Sequence, residues 1–135
     1  MVTRRTMIGG AAGLAGIASA GTALAQTPAL PGRVFVHHVY FWLNAPGDAQ
    51  AREALIAGLR KLTAVPEVLW SHIGVPAESE RGVVDDSYSV SWLVFLADKA
   101  AEDRYQVDPV HLKFVEDCSH LWERVVVYDA EQVAG

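Results

Sequence analysis

Residues 33–43 read RVFVHHVYFWL, and this stretch decides the architecture. It is dense in β-branched and aromatic residues, the composition of a strand. Side chains alternate along a strand, so Val36, His38, Tyr40 and Trp42 face one way and Phe35, His37, Val39 and Phe41 the other. Both sets are largely apolar or aromatic. The strand predicted over 88–97 repeats the pattern, with Val90, Trp92, Val94 and Leu96 opposite Leu93 and Phe95. A sheet made of such strands needs cover on both faces.

Working outward, Asn44 to Asp48 forms a turn ending in an N-cap candidate, and the spacing of Ala51, Leu55, Leu59 and Leu62 predicts a helix over 48–63. Pro66 stops it. A second strand spans 67–76, and an acidic loop, 77–87, leads to the strand at 88–97. Residues 98–106 are predicted helical, and Asp108-Pro109 caps and starts a further helix running to about Trp122. A last strand covers 124–129. The order strand, helix, strand, strand, helix, strand is the α+β, ferredoxin-like βαββαβ plan, with a four-stranded antiparallel sheet and its helices on one face. The other face calls for a symmetric partner. The expected assembly is a homodimer in which two sheets enclose a dimeric α+β barrel.

Composition removes several classes of function. The chain has 135 residues, 51% of them hydrophobic, and a formal charge of −5, which excludes a disordered segment and argues against a nucleic-acid partner. Its single cysteine, Cys118, excludes an intramolecular disulfide and any multi-cysteine metal site.

The first residues carry a different signal. Arg4 and Arg5 precede an uncharged run, Met7 to Ala25, which holds seven Ala and five Gly among 19 residues, too weakly apolar for a membrane span. Ala23-Leu24-Ala25 supplies a small-x-small cleavage site. The expectation is a twin-arginine-type signal peptide over 1–25, a linker over 26–32 and a single domain over 33–135. The mature protein would then be periplasmic or secreted, with no stable membrane anchor.

Five histidines raise the question of a metal. His37 and His38 project to opposite faces and no histidine pair has helical i, i+4 spacing, so no metal site and no cofactor are expected. The last helix is more informative. Val110, Phe114, Val115, Cys118, Leu121 and Trp122 fall within one arc of about 140°, and His111 lies inside it. An imidazole there either satisfies a core partner or lines a cavity, and desolvation would keep it neutral. Tyr105, across the Asp108-Pro109 break, could offer a phenolic donor nearby.

The segment Tyr105-Gln106-Val107-Asp108-Pro109-Val110-His111, continuing through Phe114 to Leu121-Trp122-Glu123, resembles the stress-responsive dimeric α/β-barrel (Dabb) family, as does the opening strand His37-His38-Val39-Tyr40-Phe41. The resemblance spans about Arg33 to Asp129. It implies a dimer whose sheets form a barrel. From a plant member that cyclises a polyketide thioester without a cofactor, it implies His111 and Tyr105 as catalytic residues, with His38 and Trp122 in the cavity. Tyr40, Trp42 and Trp92 complete the expected substrate-binding set. Two departures bear on the pocket. The family's frequent His-Pro-x-His has Asp108 in its first position here, and bulky aromatics on the first helix correspond to Ala54, Leu55 and Gly58. Two functions follow as expectations. One is a barrel that binds a small apolar or aromatic molecule, with possible cofactor-free lyase or cyclase chemistry. The other is a non-catalytic stress-related dimer whose barrel is filled by Trp42, Trp92 and Trp122.

Overall fold

The computed structural model describes Leu30 and residues 32–135. The signal peptide expected over 1–25 lies outside the described residues, as does most of the linker over 26–32. Seven main elements follow in order: β1 (Phe35–Leu43), α1 (Ala49–Lys61), β2 (Trp70–Gly74), β3 (Val90–Leu96), α2 (Lys99–Val107), α3 (Pro109–Cys118) and β4 (Trp122–Glu131). The sheet is antiparallel throughout, in the order β2-β3-β1-β4. This is the ferredoxin-like α+β arrangement expected from the sequence.

Aspartates begin all three helices. Asp48 accepts hydrogen bonds from the Gln50 and Ala51 amides, Asp98 from Ala101 and Asp108 from Val110. Asp108 also ends α2, so this one residue divides two helices. Pro109 occupies the first turn of α3, where its missing N–H leaves no intrahelical bond unmade.

The core lies between the helices and one sheet face. Phe35, Val39, Phe41 and Leu43 of β1 alternate inward and meet Val90, Trp92, Val94 and Leu96 of β3, with Leu55 and Leu59 of α1 above them. Gly58 sets how closely α1 approaches α3, since a Cβ there would come within 2.5 Å of the Cys118 Sγ. A larger side chain at position 58 therefore has no room at this crossing unless Cys118 and Phe114 shift.

One boundary differs from expectation in a way that matters for the site. The last helix does not run to Trp122; α3 ends at Cys118, a 3₁₀ turn covers Ser119–Leu121, and Trp122 opens β4. Asn44 fastens this turn to the end of β1, its amide N–H and side-chain Nδ2 donating to the Leu121 and His120 carbonyls. The register then shifts between Trp42 and Leu43, which pair with Arg124 and Trp122. Strict alternation would leave Trp122 on the same face as Arg124; the bulge turns it to the helix side.

Candidate functional site

A cavity of about 270 Å³ lies between the helix side of the sheet and the α2–α3 pair. Its walls are His37, Val39 and Phe41 of β1, Trp92 of β3, Tyr105 and Gln106 of α2, His111 and Phe114 of α3, and Trp122, Val125 and Val127 of β4, with Leu62 and Val115. The lining is apolar apart from the imidazoles, the phenol and the amide.

The polar groups are held by specific bonds. Tyr105 is buried and its hydroxyl accepts from Trp92 Nε1 at 3.0 Å, which leaves the phenol its own hydrogen to donate. Burial holds the Tyr105 pKa well above the ordinary phenol range, so the hydroxyl stays protonated. The break at Asp108 brings His111 beside it, with ring centroids 4.8 Å apart. His111 Nδ1 donates to the Gln106 carbonyl oxygen at 3.0 Å. Desolvation lowers the His111 pKa against the opposing pull of that carbonyl, and the neighbouring His37 lowers it further. In the resulting neutral ring, Nε2 is the proton acceptor.

His37 is the residue that the sequence reading left out. It projects to the same face as the cavity, is buried, and stands 5.5 Å from the Tyr105 ring between centroids. Its Nδ1 lies 2.6 Å from Asp129 Oδ1, its partner across the β1–β4 ladder. A carboxylate only accepts, so Nδ1 carries the hydrogen and the ring is fixed in orientation. Glu102 Oε1 lies 3.9 Å from the same nitrogen and accepts from Gln106 Nε2, while its other oxygen accepts from Lys99.

His37, Glu102 and Asp129 thus bring three potential metal-ligand atoms within 4.8 Å of one another. They come from β1, α2 and β4, so no local spacing could reveal the group. Each ligand atom already has a protein hydrogen-bond partner, and the cluster works as a brace on His37.

The expected site residues divide between two faces. Tyr105, His111, Trp92 and Trp122 converge on the cavity. His38, Tyr40 and Trp42 do not: strand alternation sends them to the opposite face, away from His111. There Tyr40 Oη and His38 Nδ1 are 3.1 Å apart, and Trp42 Nε1 donates to Ser87 Oγ. The first-strand cavity histidine is therefore His37 and not His38, because residues on β1 share a face with the helices only at odd positions.

This arrangement defines a protein class: a ferredoxin-like domain with a polar cluster in an apolar cavity between sheet and helices. The stress responsive A/B barrel domain (Dabb) family matches residues 35–132, and the chain belongs to that family. No curated protein matches. Among solved structures, a Dabb family protein with a ferredoxin-like fold from Mesorhizobium loti is 21% identical, with a TM-score of 0.63, covering 76% of this chain and 99% of its own. A dimeric ferredoxin-like protein from Thermobifida fusca is 20% identical, with a TM-score of 0.62 and coverages of 78% and 96%. The hydroxynitrile lyase from Passiflora edulis is 16% identical, with a TM-score of 0.66 and coverages of 78% and 98%. At these identities the likeness is one of fold.

Proposed function

We propose that this chain is an exported homodimer whose cavity binds a small apolar or aromatic carbonyl compound and catalyses lyase- or cyclase-like proton transfer without a cofactor. One observation carries the reading: the His111 imidazole and the Tyr105 phenol lie side by side, ring centroids 4.8 Å apart, in an apolar cavity. His111 takes the acidic proton through Nε2, and Tyr105 donates to the oxygen on which charge develops. Trp92 fixes the phenol from behind, and Asp129 fixes His37 beside it. Phe41, Phe114 and Trp122 flank the substrate, with Phe41 and Trp122 centroids 4.9 Å apart. A volume of about 270 Å³ is at the small end for ligand cavities, and suits a single aromatic ring with a short side chain. The hydroxynitrile lyase among the structural relatives lends precedent for a lyase on this fold. Export rests on Arg4-Arg5 and the Ala23-Leu24-Ala25 site, and the dimer on the aromatic outer sheet face and the dimeric relatives.

The test is deuterium exchange at the α-carbon of an aryl methyl ketone in D₂O, followed by proton NMR. The wild-type protein should accelerate exchange. His111→Ala should lower that acceleration by about 100-fold or more while circular dichroism stays unchanged. Equal exchange by both proteins would reject His111 as the base. Because the His111 pKa is lowered, the base stays available through neutral pH, and exchange should fall only as the pH drops below the ordinary histidine value of 6.5.

A further inference from the structure

Proton abstraction in the inner cavity uses one imidazole, whereas two line it. His37 enters from β1 on the sheet side and His111 from α3 on the helix side, so the rings face the enclosed space from opposite walls. The Tyr105 ring neighbours both, with centroids 5.5 Å from His37 and 4.8 Å from His111. Each histidine spends Nδ1 on a protein partner, and neither Nε2 has one among the described residues. No sealed side-chain nitrogen or oxygen there lacks a partner, so both Nε2 atoms reach open space, and the cavity is the space that both rings line.

The two rings differ in what stands behind them. His111 Nδ1 donates to a neutral acceptor, the Gln106 carbonyl. His37 Nδ1 has two carboxylates at its edge, Asp129 at 2.6 Å from β4 and the buried Glu102 at 3.9 Å from α2, with Lys99 bonded to the far oxygen of Glu102. A carbonyl suits a neutral ring that accepts a proton, whereas paired carboxylates balance the charge of a ring that carries a second one. Base and acid thus meet in one cavity. His111 and Tyr105 suffice to form an enolate. An acid on the opposite wall gains a task when the enolate goes on to expel a group, and hydroxide is a poor leaving group until it is protonated.

We propose that His37 is a second catalytic residue, the general acid of a β-elimination, and that the substrate is a small β-hydroxy aryl ketone. The proposal rests on the proton transfer assigned above to His111 and Tyr105. His111 Nε2 takes the α-proton, and the electrons of that bond pass through the enolate held by Tyr105 into a Cα–Cβ double bond. The Cβ–O bond breaks as His37 Nε2–H protonates the departing oxygen. The products are an enone and water, and the proton gained by His111 returns to His37 through solvent. A ring with a three-carbon hydroxyketone chain fits the cavity of about 270 Å³.

Two probes separate the steps: β-hydroxypropiophenone, which must lose hydroxide, and β-chloropropiophenone, whose chloride leaves without a proton. Enone absorbance follows both. The wild-type protein should accelerate both eliminations, and in His37→Gln the ratio of chloro to hydroxy rates should rise about 100-fold, a split that a merely structural role would not produce. Asp129→Asn should raise the same ratio about tenfold, and decides the matter if circular dichroism shows that His37→Gln has not folded. An unchanged ratio in the folded variants would overturn the proposal and leave His111 standing as the base. Deuterium entering the α-carbon of the hydroxy probe with no enone formed by the wild type would do the same. Absence of exchange and of elimination with both probes would overturn the His111 reading as well.

Discussion

Tyr105 has two tasks that pull on one hydroxyl group. It accepts from Trp92 inside the core and keeps its own hydrogen to donate. Tyr105→Phe should therefore cost stability as well as chemistry, since a buried indole N–H left without an acceptor costs about 1–3 kcal/mol. Urea unfolding should show that loss, and adding Trp92→Phe should cost less than the two separate losses combined, because the orphaned donor is then gone. An additive result would mean the hydrogen bond contributes little. The residue that sequence reasoning missed, His37, was within its reach. Alternation on β1 separates His37 from His38, and a helix-borne His111 can share a face only with the helix-side set. The family resemblance pointed to His38, whereas the period of two, once the helix side of β1 is known, points to His37. Asp129 and Glu102 were beyond reach, since pairing across β1–β4 and β1–α2 depends on tertiary register.

At the scale of elements, the sequence signals were strongest where local chemistry acts alone. Aspartate caps, Pro109 and the alternating strands lead to the observed elements within a few residues. Trp122 shows what local reasoning cannot supply. Its place on a helical arc and its place at the bulged start of β4 both point to the cavity, but the route is a register shift that only pairing with β1 reveals. The α1–α3 crossing is a similar case, because a glycine in mid-helix gains meaning only from the neighbour it admits. Gly58→Ala should destabilise by about 1–3 kcal/mol through overpacking against Cys118 and Phe114. Combining it with Cys118→Ala should recover part of the loss, as read by thermal unfolding. No recovery would place the strain in the Phe114 ring, 3.3 Å from the added carbon.

For the whole molecule, the sheet is the organising surface. Helices cover the face bearing His37, Val39 and Phe41, whereas the other face presents His38, Tyr40, Trp42 and the exposed rings of Trp70 and Tyr128. Among the described residues no helix is long and apolar enough to cross a membrane. A second copy is the cover we propose, and light scattering at micromolar concentration should give twice the protomer mass. A stable monomer would contradict it. The proposed export makes its own demand on the chain: Arg4→Lys with Arg5→Lys should retain the precursor in the cytoplasm, and undiminished export would reject the twin-arginine route.

In the proposed function, chemistry belongs to the inner cavity and not to the outer sheet face. Two single substitutions decide between them, His111→Gln and His38→Gln, compared in the same α-proton exchange assay. His111→Gln should remove the catalysed exchange, while His38→Gln should keep it within about twofold of wild type. Retained exchange in His111→Gln together with loss in His38→Gln would place the reactive site on the other side of the sheet.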